Sequence, residues 1–240
     1  MSQKTKVTVV IPFYNCPYVD LAVESVLAQT YPDIELIVVD DGSTLHSEKL
    51  EAYSDRIVYL RKPNGGTASA LNTGIKAASG DYFAWLSADD LFHPDKIKQQ
   101  IEGLHSSGAS FSHTAFYYIN ELGVRSPKFI SLPLYSRAEL IRILMRGCPI
   151  NGSSVLLDME IFSNLGVFDE ELLYTHDYDM WLRILPHYEC FYIQQPLLDY
   201  RVHQAMGSVI HSEAQRRESV QVRAKHHSTL AQLLVNGVGK

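Results

Sequence analysis

Two adjacent carboxylates, Asp89 and Asp90, follow a nearly unbroken apolar and aromatic run from Tyr82 to Leu86. A run with both faces apolar predicts a central strand covered by helices on each side. The pair therefore stands where a buried strand leaves its sheet, the edge at which open α/β sheets bind ligands. Adjacent acids repel unless something positive lies between them, and a hard divalent cation answers that need. A helix cap is the plainer alternative for either acid taken alone. A second acidic pair closes the strand Glu35 to Val39, in Asp40-Asp41-Gly42-Ser43. Here Asp41 is placed to accept hydrogen bonds from a base or a ribose, with Asp40 buried at the turn; a plain turn is the alternative. A third constellation, Thr175-His176-Asp177-Tyr178-Asp179, opens a helix whose apolar stripe is Met180, Trp181, Ile184 and Leu185. Asp177 stands at or beside the N-cap, where a carboxylate either accepts backbone N–H groups or serves as a general base. Asp179 points elsewhere on that helix and anchors structure.

The elements that position these acids come from hydrophobic periodicity. Val7 to Ile11 and Ile57 to Leu60 join the two runs above as strands, the first ending at Pro12-Phe13-Tyr14-Asn15. Between them lie helical stripes: Val19, Ala22, Val23, Val26 and Leu27 behind Pro17, then Ala68, Leu71, Ile75 and Ala78 from near Thr67, with Gly80 as the C′ residue. A further helix starts near Pro94 and turns Ile97, Ile101 and Leu104 inward. Strands alternating with helices predict βαβ units and a mostly parallel sheet. Every polar signature falls just after a strand: Tyr14 and Asn15, Asp40 and Asp41, Asn64 to Gly66, Asp89 and Asp90. In a parallel sheet those ends share one edge, so they converge on one crevice. The first strand-to-helix turn has no glycine, which excludes the dinucleotide fingerprint and the P-loop. Phosphates would instead be held by a metal on Asp89 and Asp90.

Beyond Ser110 the pattern changes. Phe111, Ala115 and Tyr117 alternate with Ser112, Thr114 and Phe116 in a half-exposed strand, and Gly123 to Pro133 reads as loop. Ser136 with Glu139 forms a capping box for a helix carrying Leu140, Ile141, Leu144 and Met145. Asn151-Gly152-Ser153-Ser154 leads into a short strand from Val155 to Leu157, and Asp158 caps a brief helix closed by Gly166. The tail from Ser212 to Leu234 is helical and basic, and ends loosely at Gly237-Val238-Gly239.

The chain has 240 residues, 46% of them hydrophobic, and a formal net charge of −6, which argues against a nucleic-acid binder. No stretch approaches the roughly 18 apolar residues of a membrane span, and no signal-peptide pattern opens the chain. Cys16, Cys148 and Cys190 are widely spaced, which suits a reducing compartment without disulfides or structural zinc. A cytoplasmic protein is expected, with the inner membrane face as a peripheral alternative.

In order and spacing, several motifs together resemble glycosyltransferase family 2, from about residue 6 to 205. They are Val-Thr-Val-Val-Ile-Pro-Phe-Tyr-Asn, Ser25 to Tyr31, Val-Val-Asp-Asp-Gly-Ser, Asn-Gly-Gly with Ala70-Leu71-Asn72-Thr73-Gly74, and Ala88-Asp89-Asp90 before His93-Pro94-Asp95. The resemblance implies an α/β GT-A fold and an inverting transfer from a nucleotide sugar, most often a UDP-sugar, to a hydroxyl acceptor. It implies nucleotide contacts at Pro12, Tyr14, Asn15, Asp41, Asn64, Gly66, Asn72 and Asp89, and Mn²⁺ or Mg²⁺ on Asp89 and Asp90. Asp177 becomes the general base. His203, in the late Tyr200-Arg201-Val202-His203 segment, becomes a third metal ligand or a diphosphate contact, and Arg201 a salt-bridge partner or a phosphate contact. Three residues depart from the family pattern: Ser87 and Leu71 stand where Asp and Arg are common, and His176 where Glu precedes the base.

The expected organisation is a nucleotide-sugar half over 1–105, an acceptor half over 106–205 and a helical tail over 206–240. Expected partners are the donor, a glycan, lipid-linked or protein-linked acceptor, and a second copy through the C-terminal helix. Two other functions compete. A non-catalytic nucleotide-sugar-binding module would explain the three departures as decay. A sugar-nucleotide pyrophosphorylase would need a glycine-rich phosphate loop, which Pro12 to Asn15 does not offer.

Overall fold

The computed structural model describes residues 5–204 and 206–237. Its first strand, β1 (Val7–Phe13), is buried on both faces, and so is β2 (Ile34–Asp40) toward its C-terminal end. Between them α1 (Val19–Leu27) buries Val19, Ala22, Val23 and Val26; Pro17 precedes this helix rather than sitting in its first turn. A 3-10 turn (Ser47–Tyr53) leads to β3 (Val58–Arg61), then α2 (Gly66–Ala77) and β4 (Tyr82–Trp85). The strands β3, β2, β1 and β4 pair side by side, all parallel. Gly80 is not the C′ residue of α2, which ends at Ala77. It is glycine for closeness: an added Cβ would lie 2.7 Å from the Thr8 backbone nitrogen.

After β4 come β5 (Leu91–Phe92), α3 (Lys96–Ser107), β6 (Phe111–Ile119) and β7 (Arg125–Ile130). The chain continues through α4 (Arg137–Leu144), a 3-10 turn (Gly152–Ser154), β8 (Leu156–Asp158), α5 (Glu160–Leu165), α6 (His176–Ile184) and β9 (Cys190–Arg201). It closes with α7 (Gly207–Ile210) and α8 (Ser212–Val235). One nine-stranded sheet runs β3-β2-β1-β4-β8-β6-β9-β5, with β7 paired to β6.

Two expectations change here. Past β4 the sheet is mixed, because β8 runs antiparallel to both β4 and β6, while β6 and β9 are parallel. And β6 is buried on both faces over Phe111 to Phe116, since α3 covers one side and Trp181 of α6 stacks on Phe111 from the other; its alternation of polar residues reflects internal hydrogen bonds, not solvent. Ser112, for example, receives a hydrogen bond from the buried Gln100 side chain at 3.1 Å. The stretch expected as loop contains β7, which folds back on β6. The capping box is present: Glu139 N–H donates to Ser136 Oγ and Ser136 N–H to the Glu139 carboxylate. The tail packs on the body, burying Val222 and Leu230 against α6 and α4. From residue 238 on, the loose end expected at Gly237-Val238-Gly239 lies outside the described residues. Among the described residues no helix is long and apolar enough to cross a membrane.

Candidate active site

The C-terminal ends of β1, β2 and β4 surround a cavity of about 420 Å³ lined by Pro12, Tyr14, Asn15, Asp41, Asn64, Gly66, Ser87, Asp89 and His203. Residues from sequence positions 12 to 203 meet there because parallel strands present their carboxyl ends at one edge. Tyr14 stands 55% exposed on the rim. Asn15 adopts a positive φ of 50°, and its Oδ1 accepts the N–H groups of Thr44 and Leu45 at 2.8 and 2.9 Å. It therefore locks the turn after β1 to the turn after β2.

Asp40 is buried and accepts hydrogen bonds from Ser43 N–H at 2.6 Å and from the Tyr59 hydroxyl. Asp41 reaches the cavity wall, but not as an open acceptor. Lys62 Nζ lies 2.6 Å from it, and the N–H groups of Gly65 and Gly66 donate to it at 3.0 and 2.7 Å. Its carboxylate thus builds the Asn64–Gly66 turn, in which Gly66 takes a φ of +86° that favours glycine.

Asn72 does not reach the cavity. Its side chain ties α2 to the segment after α5, donating to Phe168 O and Glu170 and accepting from Phe168 N–H. Replacing it leaves buried backbone groups unpaired, which costs about 1–3 kcal/mol. Asn72→Ala is therefore expected to lower the melting temperature while leaving the donor KM unchanged. Leu71, likewise, is fully buried in the core rather than on the cavity wall.

The acidic pair separates. Asp89 keeps a side-chain exposure of 21% and faces the cavity, with His203 Nε2 3.0 Å from its Oδ2. Asp90 has no exposure; its carboxylate accepts Ser153 Oγ–H at 2.6 Å and Arg201 N–H at 2.9 Å. The tight turn in which Asp90 N–H donates to Ser87 O sends its side chain beneath β9. Burial first, and the charge of Asp89 second, push the Asp90 carboxyl well above the usual carboxylate range. Its expected place as a metal ligand is corrected to a structural one. Arg201 is also buried and meets neither a carboxylate nor the cavity with its guanidinium. It donates instead to the carbonyls of Asp89, Asn120 and Glu121 and stacks over Tyr18 at 4.2 Å. Tyr18 in turn contacts the His203 ring.

A second cavity of about 390 Å³ adjoins the first and is lined by Trp85, Ser87, His113, Asn151, Gly152, Asp177, Tyr192 and Tyr200 among others. Ser87 belongs to both walls. Its backbone N–H donates to Ser153 Oγ at 3.0 Å, which also fixes Asp90. Asp177 is half-buried in the first turn of α6, its Oδ1 accepting Tyr178 N–H at 2.7 Å. Burial raises its carboxyl above the ordinary range, against the opposing pull of His176 and that N–H. His176 itself is packed against Trp85 and Phe168, 5% exposed, and does not line the cavity. His113 stacks on Tyr192, and burial holds its imidazole neutral with a pKa of about 3. Gly152 lets Trp85 lie against the backbone, since an added Cβ would sit 2.3 Å from that ring.

Sequence patterns missed this aromatic wall. Their one signal was the Asn151-Gly152-Ser153-Ser154 run, whose small residues admit a close approach. Asp179, as expected, is structural: it accepts hydrogen bonds from Arg183, Lys225 and His226. Burial alone would raise its carboxyl, but the hydrogen bonds from His226 and Lys225 and the charges of Arg183 and Lys225 hold it below the usual range.

Asp41 is already engaged by Lys62 and the N–H groups of Gly65 and Gly66, so the carboxylate and imidazole left to a divalent cation on the first cavity are Asp89 and His203. Among the described residues no cluster of three or more His, Cys, Asp or Glu side chains could hold a metal. Two protein ligands suit a cation whose remaining positions are filled by substrate phosphate oxygens and water.

The profile described as Glycosyl transferase family 2 matches residues 8–166. An "uncharacterized glycosyltransferase" of Rickettsia typhi is 38% identical over 83% of this chain, which spans 64% of that relative's length. The UDP-Glc:alpha-D-GlcNAc-diphosphoundecaprenol beta-1,3-glucosyltransferase WfgD of Escherichia coli is 32% identical, over 75% of this chain and 69% of its own. Among solved structures, S. aureus TarS 1-349 in complex with UDP superposes with a TM-score of 0.72 at 18% identity, over 92% of this chain and 65% of that one. The fold is thus of the GT-A type, and the chain belongs to glycosyltransferase family 2.

Proposed function

We propose that the protein transfers a sugar from a UDP-sugar to a hydroxyl of a lipid-linked acceptor, with inversion. The observation that carries this is the shared wall: Ser87 stands between a cavity bearing Asp89 and His203 and a second one bearing Asp177. The donor nucleotide occupies the first cavity, with Tyr14 against the base and the backbone of the Asn64–Gly66 turn beside the ribose and diphosphate. Asp89 and His203 would hold the cation, which when bound neutralises charge on the departing diphosphate. The acceptor enters the second cavity, where Trp85, Tyr192 and Tyr200 offer faces for a sugar ring.

Asp177 takes the proton of the acceptor hydroxyl as that oxygen bonds to the anomeric carbon. The bond to the diphosphate breaks on the opposite face, and UDP leaves. A single attack from behind inverts the centre. Burial supports the role of Asp177, since it leaves the carboxylate more basic than an exposed one.

The lipid-linked acceptor draws support from an apolar groove of about 760 Å³ lined by Tyr118, Val124, Tyr200, Val202, Met206 and Val209. It shares Tyr118 and Tyr200 with the acceptor cavity and could take the hydrocarbon chain. The diphosphoundecaprenol acceptor in the name of the E. coli relative is of that kind.

The test is UDP release from a panel of UDP-sugars, with and without Mn²⁺, in the presence of polyprenyl-diphosphate sugars. Metal-dependent turnover with at least one donor is expected. UDP binding without turnover on any of them would instead favour a non-catalytic nucleotide-sugar-binding module.

A further inference from the structure

The first turn of α6, which carries Asp177, gets no side-chain cap from its N-cap residue, although Asp177 itself accepts Tyr178 N–H. Thr175 occupies the N-cap position yet makes no capping hydrogen bond with its side chain. Its hydroxyl is committed elsewhere, donating to Glu218 of α8 at 2.7 Å. The same carboxylate accepts Leu173 N–H at 3.0 Å and Tyr174 N–H at 2.8 Å. Both oxygens of one side chain, over forty positions away, thus hold three consecutive residues that end two positions before Asp177. The N–H groups of Leu173 and Tyr174 lie just before the helix and need acceptors once that segment packs down, and here the acceptor comes from α8.

Further ties keep α8 in that place. Lys225 and His226 reach Asp179 of α6 at 3.0 and 2.8 Å, and Arg223 donates to Arg146 O beyond α4. Asp177, with Cys148 and Ile150, also lines a polar cavity of about 320 Å³ that adjoins the acceptor cavity and is closed by Arg216, Gln215 and Ser219 of α8. The helix that makes these contacts lies wholly beyond the matched span of 8–166.

We propose that Glu218 is a positioning residue for the transfer: its carboxylate fixes the entry to α6 so that Asp177 faces the acceptor hydroxyl. The proposal rests on Asp177 as the general base. Glu218 touches no substrate; it acts through the backbone of 173–175 and through its charge. The groups that face Asp177 are His176 and Tyr178 on α6, Cys148 after α4, and Glu218 and Arg216 on α8. Of these the Glu218 charge disfavours the Asp177 carboxylate, so removing it lets Asp177 deprotonate at lower pH.

The experiment is steady-state kinetics with a competent UDP-sugar and acceptor on Glu218→Ala, Glu218→Gln, Asp177→Asn and the double variant Glu218→Ala/Asp177→Asn. Glu218→Ala is expected to lower kcat by about 100-fold, the order that a small misplacement of a reacting group costs, with the donor KM unchanged. Glu218→Gln retains part of the hydrogen bonding. It should keep more of kcat and move the acid limb of the kcat profile to lower pH. In the Asp177→Asn background, Glu218→Ala should add no further loss, as for residues acting as a unit. Arg223→Ala, which removes one tie of α8 to Arg146 O and leaves the Glu218 contacts to 173–175 in place, should lower thermal stability and keep kcat.

If both Glu218 variants fall in stability but keep kcat and the acid limb, Glu218 is only a structural tie and the proposal fails. It fails equally if the double variant shows fully additive losses. If Asp177→Asn itself keeps kcat, the base assignment is what fails, and Glu218 is left with nothing to position.

Discussion

Asp177→Asn should lower kcat by about 10² to 10⁴-fold, the usual contribution of a positioned general base. The substitution keeps the shape of the side chain, and its amide oxygen can still accept Tyr178 N–H, so the fold is retained. Asp177 lines the acceptor cavity and not the donor cavity, so UDP affinity should stay at the wild-type value. The pH dependence follows from burial, which raises the Asp177 carboxyl from its ordinary value. A base works only when deprotonated, so wild-type kcat should fall as the pH drops through that raised pKa. The variant should lack this limb.

Stability moves the other way. With its pKa raised on folding, Asp177 binds more protons in the native state than in the unfolded one over the window between the two values. Native stability therefore falls as pH rises through that window. At neutral pH the variant should melt no lower than wild type. A kcat within a few fold of wild type would remove Asp177 from the chemistry.

Asp89→Asn is expected to lower kcat/KM by about 10² to 10³-fold, the scale on which single charge-stabilising groups act in transfer reactions. Asp89 is the cavity-facing carboxylate beside His203; under the proposed function Mn²⁺ is expected to add thermal stability to the UDP complex, and loss of Asp89 should abolish that gain. Asp90→Asn provides the contrast. Its carboxylate is engaged with Ser153 and the Arg201 backbone, away from the cavity, so that variant should alter melting temperature and leave the Mn²⁺ dependence intact. Equal loss of Mn²⁺ dependence in both would contradict the separation of the two acids.

The convergence of the site was legible because strand and helix periodicities are local properties. Apolar runs at 7–11, 35–39 and 82–86 are long enough to be buried on both faces, and each ends in polar residues. A parallel arrangement then places those ends together whatever the packing details. The same reasoning failed at Asn72, Asp90 and Arg201, all polar and all within runs that read as site motifs. Each satisfies buried backbone groups on a segment distant in sequence: Phe168 for Asn72, Arg201 N–H for Asp90, and Asn120 for Arg201. Beyond β4 the alternating polar residues of β6 suggested solvent where α3 and α6 supply burial and hydrogen bonds instead.

From the chain alone came the family, the succession of strands and helices in the nucleotide half, and the two acids, Asp89 and Asp177, assigned to separate tasks. These rest on patterns spanning a few residues. Tertiary structure decided which of two adjacent carboxylates looks into the cavity, that Asp41 arrives already hydrogen-bonded, and that α8 holds the entry to α6. Those outcomes depend on which groups must be satisfied on burial, and the partners that satisfy them lie too far along the chain for any local pattern to name.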